Sequence, residues 1–333
     1  MRGHTYATPG RRLVKNCARA NAWLRIPTPR LIVLANMTNN FAAVWLHKLR
    51  LCIGALFLLS LPAAALAADI ASIGVVVMHG KWGSPQRLVN GLADALQREG
   101  FLVANPEMPW SGRRYYDKSI DGADAEIDAE VAQLRDKGAK QIFIVGHSLG
   151  AAYALHYASR TAVNGVAAIA PGHIPEGRRF TEMYVDDVNK ARALAAAGKG
   201  DEMIWFQDLN TGNRRSNLKA SAATFLSYFD PAGPLNMARN AQSIKPGTPV
   251  LWAVPKQEEQ PLRDFVVRFY EKLPPNPGNK FAEPDSDHLQ APTVATAEII
   301  NWIRATAKMS DKTSYRRERY HIRQRELERY PTP

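Results

Sequence analysis

The stretch that most constrains the fold is QIFIVGHSLGAAYALHYASR, residues 141–160. An apolar, β-branched run leads straight into Gly-His-Ser-Leu-Gly, and small and apolar residues at helical spacing follow. This order predicts a buried strand, a sharp turn and then a helix. Gly146 and Gly150 would let strand and helix crowd together around Ser148, which the turn holds with unfavourable backbone angles. A glycine-rich bend with an incidental serine is the alternative interpretation.

Strand and helix patterns alternate through much of the remaining chain. Apolar runs predict buried strands at 72–78, 101–106, 141–145, 164–172 and 248–254. Amphipathic patterns predict helices at 85–99, 121–137, 149–160, 261–272 and 294–306. This alternation predicts an α/β fold with a mostly parallel central sheet, covered by helices on both faces. Fully apolar strands agree with burial on both faces of such a sheet.

The alternation stops between about residues 173 and 245. This region holds a long polar helix pattern at 180–198, then DEMIWFQDLNTGNRRSN and a further helical stretch. We interpret it as an insertion that forms a helical cap over the sheet. The aromatic segment MIWFQ fits either the core of this cap or the wall of a pocket.

The net charge of +12 belongs to the two ends of the chain. Residues 1–67 carry nine Lys/Arg and no acids, and residues 307–333 carry eight Lys/Arg against four acids. Residues 68–306, with 26 basic and 27 acidic side chains, are nearly neutral, so the charge does not indicate nucleic-acid binding. The basic tail at 307–333 is expected to be either a solvated helix or disordered.

Residues 37–67 have the pattern of a secretory signal peptide. Lys48 and Arg50 form a basic region, the apolar core follows, and Ala65 and Ala67 form an A-x-A site. We therefore expect cleavage after Ala67 and export to the periplasm or the medium.

Met37 would give this signal peptide an ordinary length, so we interpret residues 1–36 as a non-native extension upstream of the protein. The alternative to cleavage is a membrane anchor at residues 51–67, a segment at the short end for a spanning helix. Both cysteines, Cys17 and Cys52, precede the cleavage site. The mature chain would therefore have no disulfide and no thiol nucleophile.

A serine hydroxyl becomes a good nucleophile only when a base takes its proton. The turn around Ser148 would project its hydroxyl clear of the sheet. The N-terminus of the following helix would offer the backbone N–H of Leu149, together with the positive end of the helix dipole, where an oxyanion would form.

Three segments in this order, VVVMHGKWGSP, IFIVGHSLGAA and SDHLQAP, resemble the α/β-hydrolase superfamily, in particular its exported serine esterases and lipases. The resemblance covers roughly residues 70–306. It implies Ser148 as the nucleophile, a histidine after the last strand as the base, and an acid on the loop after the preceding strand. It implies no metal and no organic cofactor.

On this resemblance His288, in DSDHLQAP, is the base, because it follows the short segment KFAEP (280–284), the last strand candidate, and precedes the last helix. The family usually has an aspartate after the strand that ends PVLWAV, whereas this chain has PKQEEQPLRD. Glu258 matches the usual offset, Glu259 is the alternative, and Asp264 is a third candidate that falls inside the next helix. Either glutamate can orient an imidazole as an aspartate does.

The other histidines have different expected roles. The family packs the histidine of the elbow, here His147, under the turn, and His79 of the HG pair more often supports its loop through hydrogen bonds. His156 and His173 are interpreted as structural or exposed.

The resemblance also implies a second oxyanion donor in the loop after the first strand. It would be the backbone N–H of Lys81, just after Gly80, with Trp82 as the alternative, and Gly83 would keep the loop compact.

The segment PEMPWSGRRYYD, residues 106–117, follows a strand whose carboxyl end should face the site. Trp110 and Tyr115, with Trp82, are candidates for lining a substrate pocket, and the two arginines for binding an anionic group. Packing against the insertion is the alternative.

These observations predict an exported serine hydrolase that cleaves carboxylic esters of small molecules or lipids through an acyl-enzyme. A thioesterase or an amidase of the same fold fits the same residues. An inactive relative that binds a ligand with its cap is the alternative of a different class, favoured only by the glutamate in place of aspartate. No nucleic acid is expected as a partner, and a membrane only if residues 51–67 are retained.

Overall fold

The computed structural model describes residues 70–210 and 214–308, without the side chains of Asn210 and Arg214. The strands in these ranges are β1 (Ile73–Met78), β2 (Leu102–Ala104), β3 (Gln141–His147), β4 (Gly165–Ile169), β5 (Met203–Asn210), β6 (Arg214–Ser221), β7 (Val250–Ala253) and β8 (Lys280–Ala282). Six of them form one sheet in the order β2-β1-β3-β4-β7-β8, in which every neighbouring pair is parallel.

The helices are α1 (Asn90–Arg98), α2 (Ile120–Asp136), α3 (Leu149–Arg160), α4 (Arg178–Ala196), α5 (Ala222–Phe229), α6 (Met237–Gln242), α7 (Gln260–Tyr270), α8 (Ala291–Val294) and α9 (296–308). Alternate side chains of β1 enter two separate cores, as the pleat of a strand requires. Val75 and Val77 pack with residues of α1 and α9, whereas Val76 and Met78 pack with residues of α2 and α3. The predicted α/β fold, a parallel sheet covered on both faces, is confirmed.

Some element boundaries differ from the sequence prediction. The helix expected at 85–99 begins only at Asn90, because residues 85–89 form turns in which Arg87 N–H bonds to the Ser84 carbonyl. The last predicted helix, 294–306, is divided at Ala295 into α8 and α9. The segment KFAEP contributes β8, a short strand at the edge of the sheet.

The insertion contains α4, the antiparallel hairpin β5–β6, α5 and α6. The hairpin was not predicted, and the cap is therefore helical only in part. Its signal was the period-two alternation of β5, in which Phe206 and Asp208 are buried while Met203 and Trp205 are exposed. MIWFQ thus supplies both core and surface.

Aromatic stacking joins the hairpin to α5. The ring of Phe206 lies 3.9 Å from that of Phe225, nearly parallel to it, and Phe225 stacks on Phe229 at 4.4 Å. All three rings are fully buried. This stack belongs to the same hydrophobic core as α2 and α3, which is how the cap is fixed to the sheet.

Several predictions fall on residues that the structure does not describe. The extension 1–36, the signal peptide 37–67 with its possible anchor, and the tail from residue 309 onward lie outside the described residues. Within residues 70–210 and 214–308, no helix combines the length and apolar character that crossing a membrane requires.

The register of the hairpin can be checked with two neighbouring substitutions. Phe206→Ala empties a fully buried position, and we expect it to lower the free energy of unfolding by about 3–5 kcal/mol. Trp205→Ala, on the opposite face at 60% exposure, should stay within roughly 0.5 kcal/mol of the parent. Urea denaturation followed by circular dichroism measures both. A larger loss for Trp205→Ala would mean that the strand is shifted by one residue.

Candidate active site

Ser148 lies between β3 and α3 with φ 57° and ψ −116°, a backbone conformation that residues with a side chain rarely adopt. Two glycines permit this turn. A Cβ at Gly146 would overlap the carbonyl of Gly150, and a Cβ at Gly150 would lie 2.7 Å from the carbonyl oxygen of His79. The sequence Gly-x-Ser-x-Gly is therefore a steric requirement of this strand-to-helix turn.

The structure brings Ser148, His288 and Glu258 into one line of hydrogen bonds. His288 Nε2 lies 2.9 Å from Ser148 Oγ, and His288 Nδ1 lies 2.6 Å from Glu258 Oε2. A carboxylate only accepts, so in the neutral ring Nδ1 carries the proton and Nε2 is left to accept from the serine hydroxyl. The Glu258 side chain is 5% exposed, so water scarcely competes for it.

The other two candidate acids lie elsewhere. The Glu259 side chain is 71% exposed, and its Oε2 lies 3.7 Å from Arg179. Asp264 is inside α7, where it accepts from Gln260. The backbone N–H of Glu259 donates to Glu258 Oε1 at 3.3 Å, which helps to hold that carboxylate towards His288.

Two buried histidines support the site from below. His147 Nε2 donates to the carbonyl oxygen of His288 at 2.8 Å, and burial lowers the pKa of His147 to about 3. His79 donates from Nδ1 to the Gly80 carbonyl and accepts from the Met108 N–H at Nε2. Burial also lowers the pKa of His79. Both rings are therefore neutral and support the surrounding loops through their hydrogen bonds.

The two remaining candidate histidines have partners of their own. His156 Nε2 lies 3.1 Å from a carboxylate oxygen of Asp124. His173 Nε2 donates to the Tyr228 carbonyl at 2.8 Å, and burial lowers the pKa of His173 to about 3.

The loop after β1, residues 79–83, passes close to the serine. A Cβ at Gly80 would lie 2.9 Å from Ser148 Cβ. The backbone N–H of Trp82 is already used, since it donates to the Trp110 carbonyl at 2.9 Å. Among the described residues no backbone oxygen accepts from the N–H of Lys81, and Leu149 is the first residue of α3, whose N–H has no partner within its helix.

The three predicted pocket residues lie in different environments. Trp82 lines a cavity of about 480 Å³ that also contacts Ser148 and His288. The pocket prediction is wrong for Trp110, which is completely buried and therefore cannot line an open cavity. Its Nε1–H donates to the His79 carbonyl. Tyr115 is 54% exposed and packs edge-on against Trp82.

The arginines of the 106–117 segment are engaged with nearby carboxylates. Arg113 pairs with Glu107. Arg114 donates to Glu126 and Asp117, and its hydrogen bonds to Glu126 raise the pKa of Arg114 above its ordinary value. Both arginines, which were candidates for binding an anionic group, are thus paired with carboxylates of the protein itself.

A second cavity, of about 400 Å³, extends from Ser148 under the cap. It adjoins a third cavity of about 470 Å³, since the two share several lining residues. We call these two adjoining cavities the apolar groove. Its apolar lining side chains were not identified from the sequence: Ile174, Phe180, Met183, Leu262 and Phe265. They come from α4, α7 and the segment before α4, which meet only in the folded chain.

Gly172 was also missed. A Cβ at this position would lie 3.3 Å from Ser148 Oγ and 3.6 Å from His288 Cε1, so any larger residue would crowd the space beside the hydroxyl. Its place just after β4, at the same edge of the sheet as Ser148, was the available signal.

Comparison with known proteins identifies the family to which the chain belongs. A family model described as the alpha/beta hydrolase family matches residues 75–302, more than half of the chain, and the chain belongs to this family. A search of curated proteins finds no match.

Solved structures share the fold at low identity. The chain is similar to a structure described for the metagenome-derived lipolytic enzymes LipS and LipT (18% identity, TM-score 0.51, covering 72% of this chain and 94% of that chain). It is also similar to a monoacylglycerol lipase of Paleococcus ferrophilus (20% identity, TM-score 0.50, covering 70% and 94%). A third is the alpha/beta hydrolase GrgF from Penicillium sp. sh18 (14% identity, TM-score 0.53, covering 71% and 90%).

The two glutamates give a matched pair of variants. Glu258→Gln should slow the reaction of Ser148 with a fluorophosphonate probe by roughly three to four orders of magnitude, because an amide neither fixes the ring tautomer nor stabilises the imidazolium. Glu259→Gln, at an exposed side chain, should react within about twofold of the parent, the usual scale for a surface change. Equal rates in the two variants, or a larger loss for Glu259→Gln, would contradict the assignment of Glu258.

Proposed function

We propose that this protein is a serine hydrolase that cleaves carboxylic esters through an acyl-enzyme on Ser148. The observation that carries the proposal is the continuous line of hydrogen bonds from Glu258 through His288 to Ser148. The line consists of a buried carboxylate, an imidazole whose Nε2 faces the serine, and a hydroxyl that borders two cavities at a strained turn.

In the first half-reaction Ser148 Oγ attacks the ester carbonyl carbon while His288 Nε2 takes the hydroxyl proton. Glu258 accepts from Nδ1 and stabilises the imidazolium that forms. The backbone N–H groups of Leu149 and Lys81 donate to the carbonyl oxygen as it becomes an oxyanion. The C–O bond to the alcohol then breaks, and His288 returns the proton to the leaving oxygen.

In the second half-reaction water replaces the alcohol. His288 takes a proton from this water, whose oxygen attacks the acyl carbon on Ser148. The tetrahedral intermediate uses the same two N–H donors. Its collapse releases the carboxylic acid and returns the proton from His288 to Ser148 Oγ, which regenerates the enzyme.

The apolar groove between α4 and α7 supports an ester with an apolar acyl group. Its two adjoining cavities, of about 400 and 470 Å³, are each within the usual size of ligand pockets. The names of the similar structures, a lipolytic enzyme and a monoacylglycerol lipase, point the same way. Thioester and amide cleavage use the same residues and are separated from ester cleavage by the assay below.

The test uses residues 68–333 and 4-nitrophenyl esters graded from acetyl to dodecanoyl, with matched thioesters and anilides. We expect ester hydrolysis that favours medium or long acyl groups, and labelling by a fluorophosphonate that disappears in Ser148→Ala. Faster turnover of the thioesters or of the anilides would show that the protein is a thioesterase or an amidase instead of an esterase. Folded protein that neither turns over any substrate nor reacts with several fluorophosphonates would instead be a binding protein, and the proposal would fail.

We also propose that the protein is exported and that residues 37–67 are removed. The basic region, the apolar core and the A-x-A site at Ala65 and Ala67 motivate this. N-terminal sequencing of the protein recovered outside the cytoplasm should begin at Ala68. A mature chain that retains residues 51–67 in the membrane fraction would contradict cleavage and support an anchored enzyme.

A further inference from the structure

Asp208 is a carboxylate at the centre of the interface between the cap and the sheet. It lies on β5 of the cap hairpin and is completely buried. Its Oδ1 accepts from Lys81 Nζ at 2.8 Å and from the Tyr184 hydroxyl at 3.1 Å. Its Oδ2 accepts from Trp82 Nε1 at 2.8 Å and from the Tyr116 hydroxyl at 3.2 Å.

All four partners are donors, and a carboxylate is the side chain that can accept from all of them at once. Two of the four, Lys81 and Trp82, are consecutive residues of the loop after β1. Lys81 Nζ also donates to the Leu209 carbonyl, so β5 holds this side chain at two points. Trp82 has a positive φ of 56°, and a strained residue of this kind persists only where its surroundings fix it.

We propose that Asp208 is a positioning residue for the oxyanion hole: by holding the side chains of Lys81 and Trp82, it aims the backbone N–H of Lys81 at the reacting carbonyl. This rests on the proposed function. It makes the cap hairpin part of the catalytic apparatus in addition to a cover. Asp208 touches neither substrate nor the reacting atoms, and it acts through the loop after β1.

The network contains its own control. Tyr116 donates to the same carboxylate but belongs to the 106–117 segment and not to the loop after β1. Tyr116→Phe and Asp208→Asn both remove a buried polar contact, so both should lower the melting temperature. Only Asp208→Asn should disturb the loop, because its amide group sets an N–H against the Lys81 ammonium or the Trp82 indole N–H.

The experiment measures kcat and KM on the best ester, and the affinity for a trifluoromethyl ketone, whose adduct with Ser148 carries an oxyanion. Asp208→Asn should lower kcat and the ketone affinity by roughly ten- to a hundredfold, up to the scale of losing one oxyanion donor, with KM little changed. Trp82→Phe, a milder change that keeps an aromatic ring, should lower both quantities in the same direction. Tyr116→Phe should keep both within about threefold, because it removes only the hydroxyl and keeps the ring that packs edge-on against Trp82.

Three results would overturn the inference. The first is equal loss of kcat in Asp208→Asn and Tyr116→Phe, which would assign the network to stability alone. The second is a normal kcat and ketone affinity in Asp208→Asn and Trp82→Phe while both are folded. The third is wild-type protein that does not react with fluorophosphonates, which would overturn the proposed function and this inference together, whereas a labelled wild type with unaffected variants overturns the inference only.

Discussion

The close approach of α3 to β3 is the constraint on which the rest of the site depends. Two glycines allow it, and it turns the chain so sharply that Ser148 ends with a positive φ at the carboxyl edge of the sheet. The Ser148 N–H donates to the Ile169 carbonyl at the end of β4, which fixes the turn to the neighbouring strand. Because β3 lies between β1 and β4, the loops that follow those two strands must both pass beside the serine hydroxyl.

The acid and the base come from two loops at the same carboxyl edge of the sheet, after β7 and β8, the two strands beyond β4. Backbone hydrogen bonds join these loops: Lys256 N–H donates to the Pro284 carbonyl at 3.0 Å, and Gln257 N–H to the Ser286 carbonyl at 3.1 Å. β8 has only three residues, but the hydrogen bonds between the two loops help to hold His288 in position next to Glu258. His147 adds a third attachment by bonding to the main chain of His288.

Local patterns in the sequence were enough to predict the sheet and the turn at Ser148, whereas His288 as its partner came from the resemblance to the α/β-hydrolase superfamily. The choice between Glu258 and Glu259 was harder, since one residue of register decides which carboxylate is buried, and adjacent positions look alike in sequence. The hairpin β5–β6 was missed although β5 shows a period-two alternation, and the network around Asp208 could not be predicted. Asp208 is hydrogen-bonded to Lys81 and Trp82, which lie more than a hundred residues earlier in the chain. The sequence around β5 does not indicate that these two donors lie next to Asp208 in the folded protein.

The environment, more than the position in sequence, decides which histidine can serve as the base. His79, His147 and His173 are each bonded through a ring nitrogen to a backbone carbonyl, and burial lowers the pKa of each. His288 differs because one nitrogen faces the carboxylate of Glu258 and the other faces Ser148. An imidazolium formed at His288 is hydrogen-bonded to the carboxylate of Glu258, whereas burial disfavours the charged form of the other three rings.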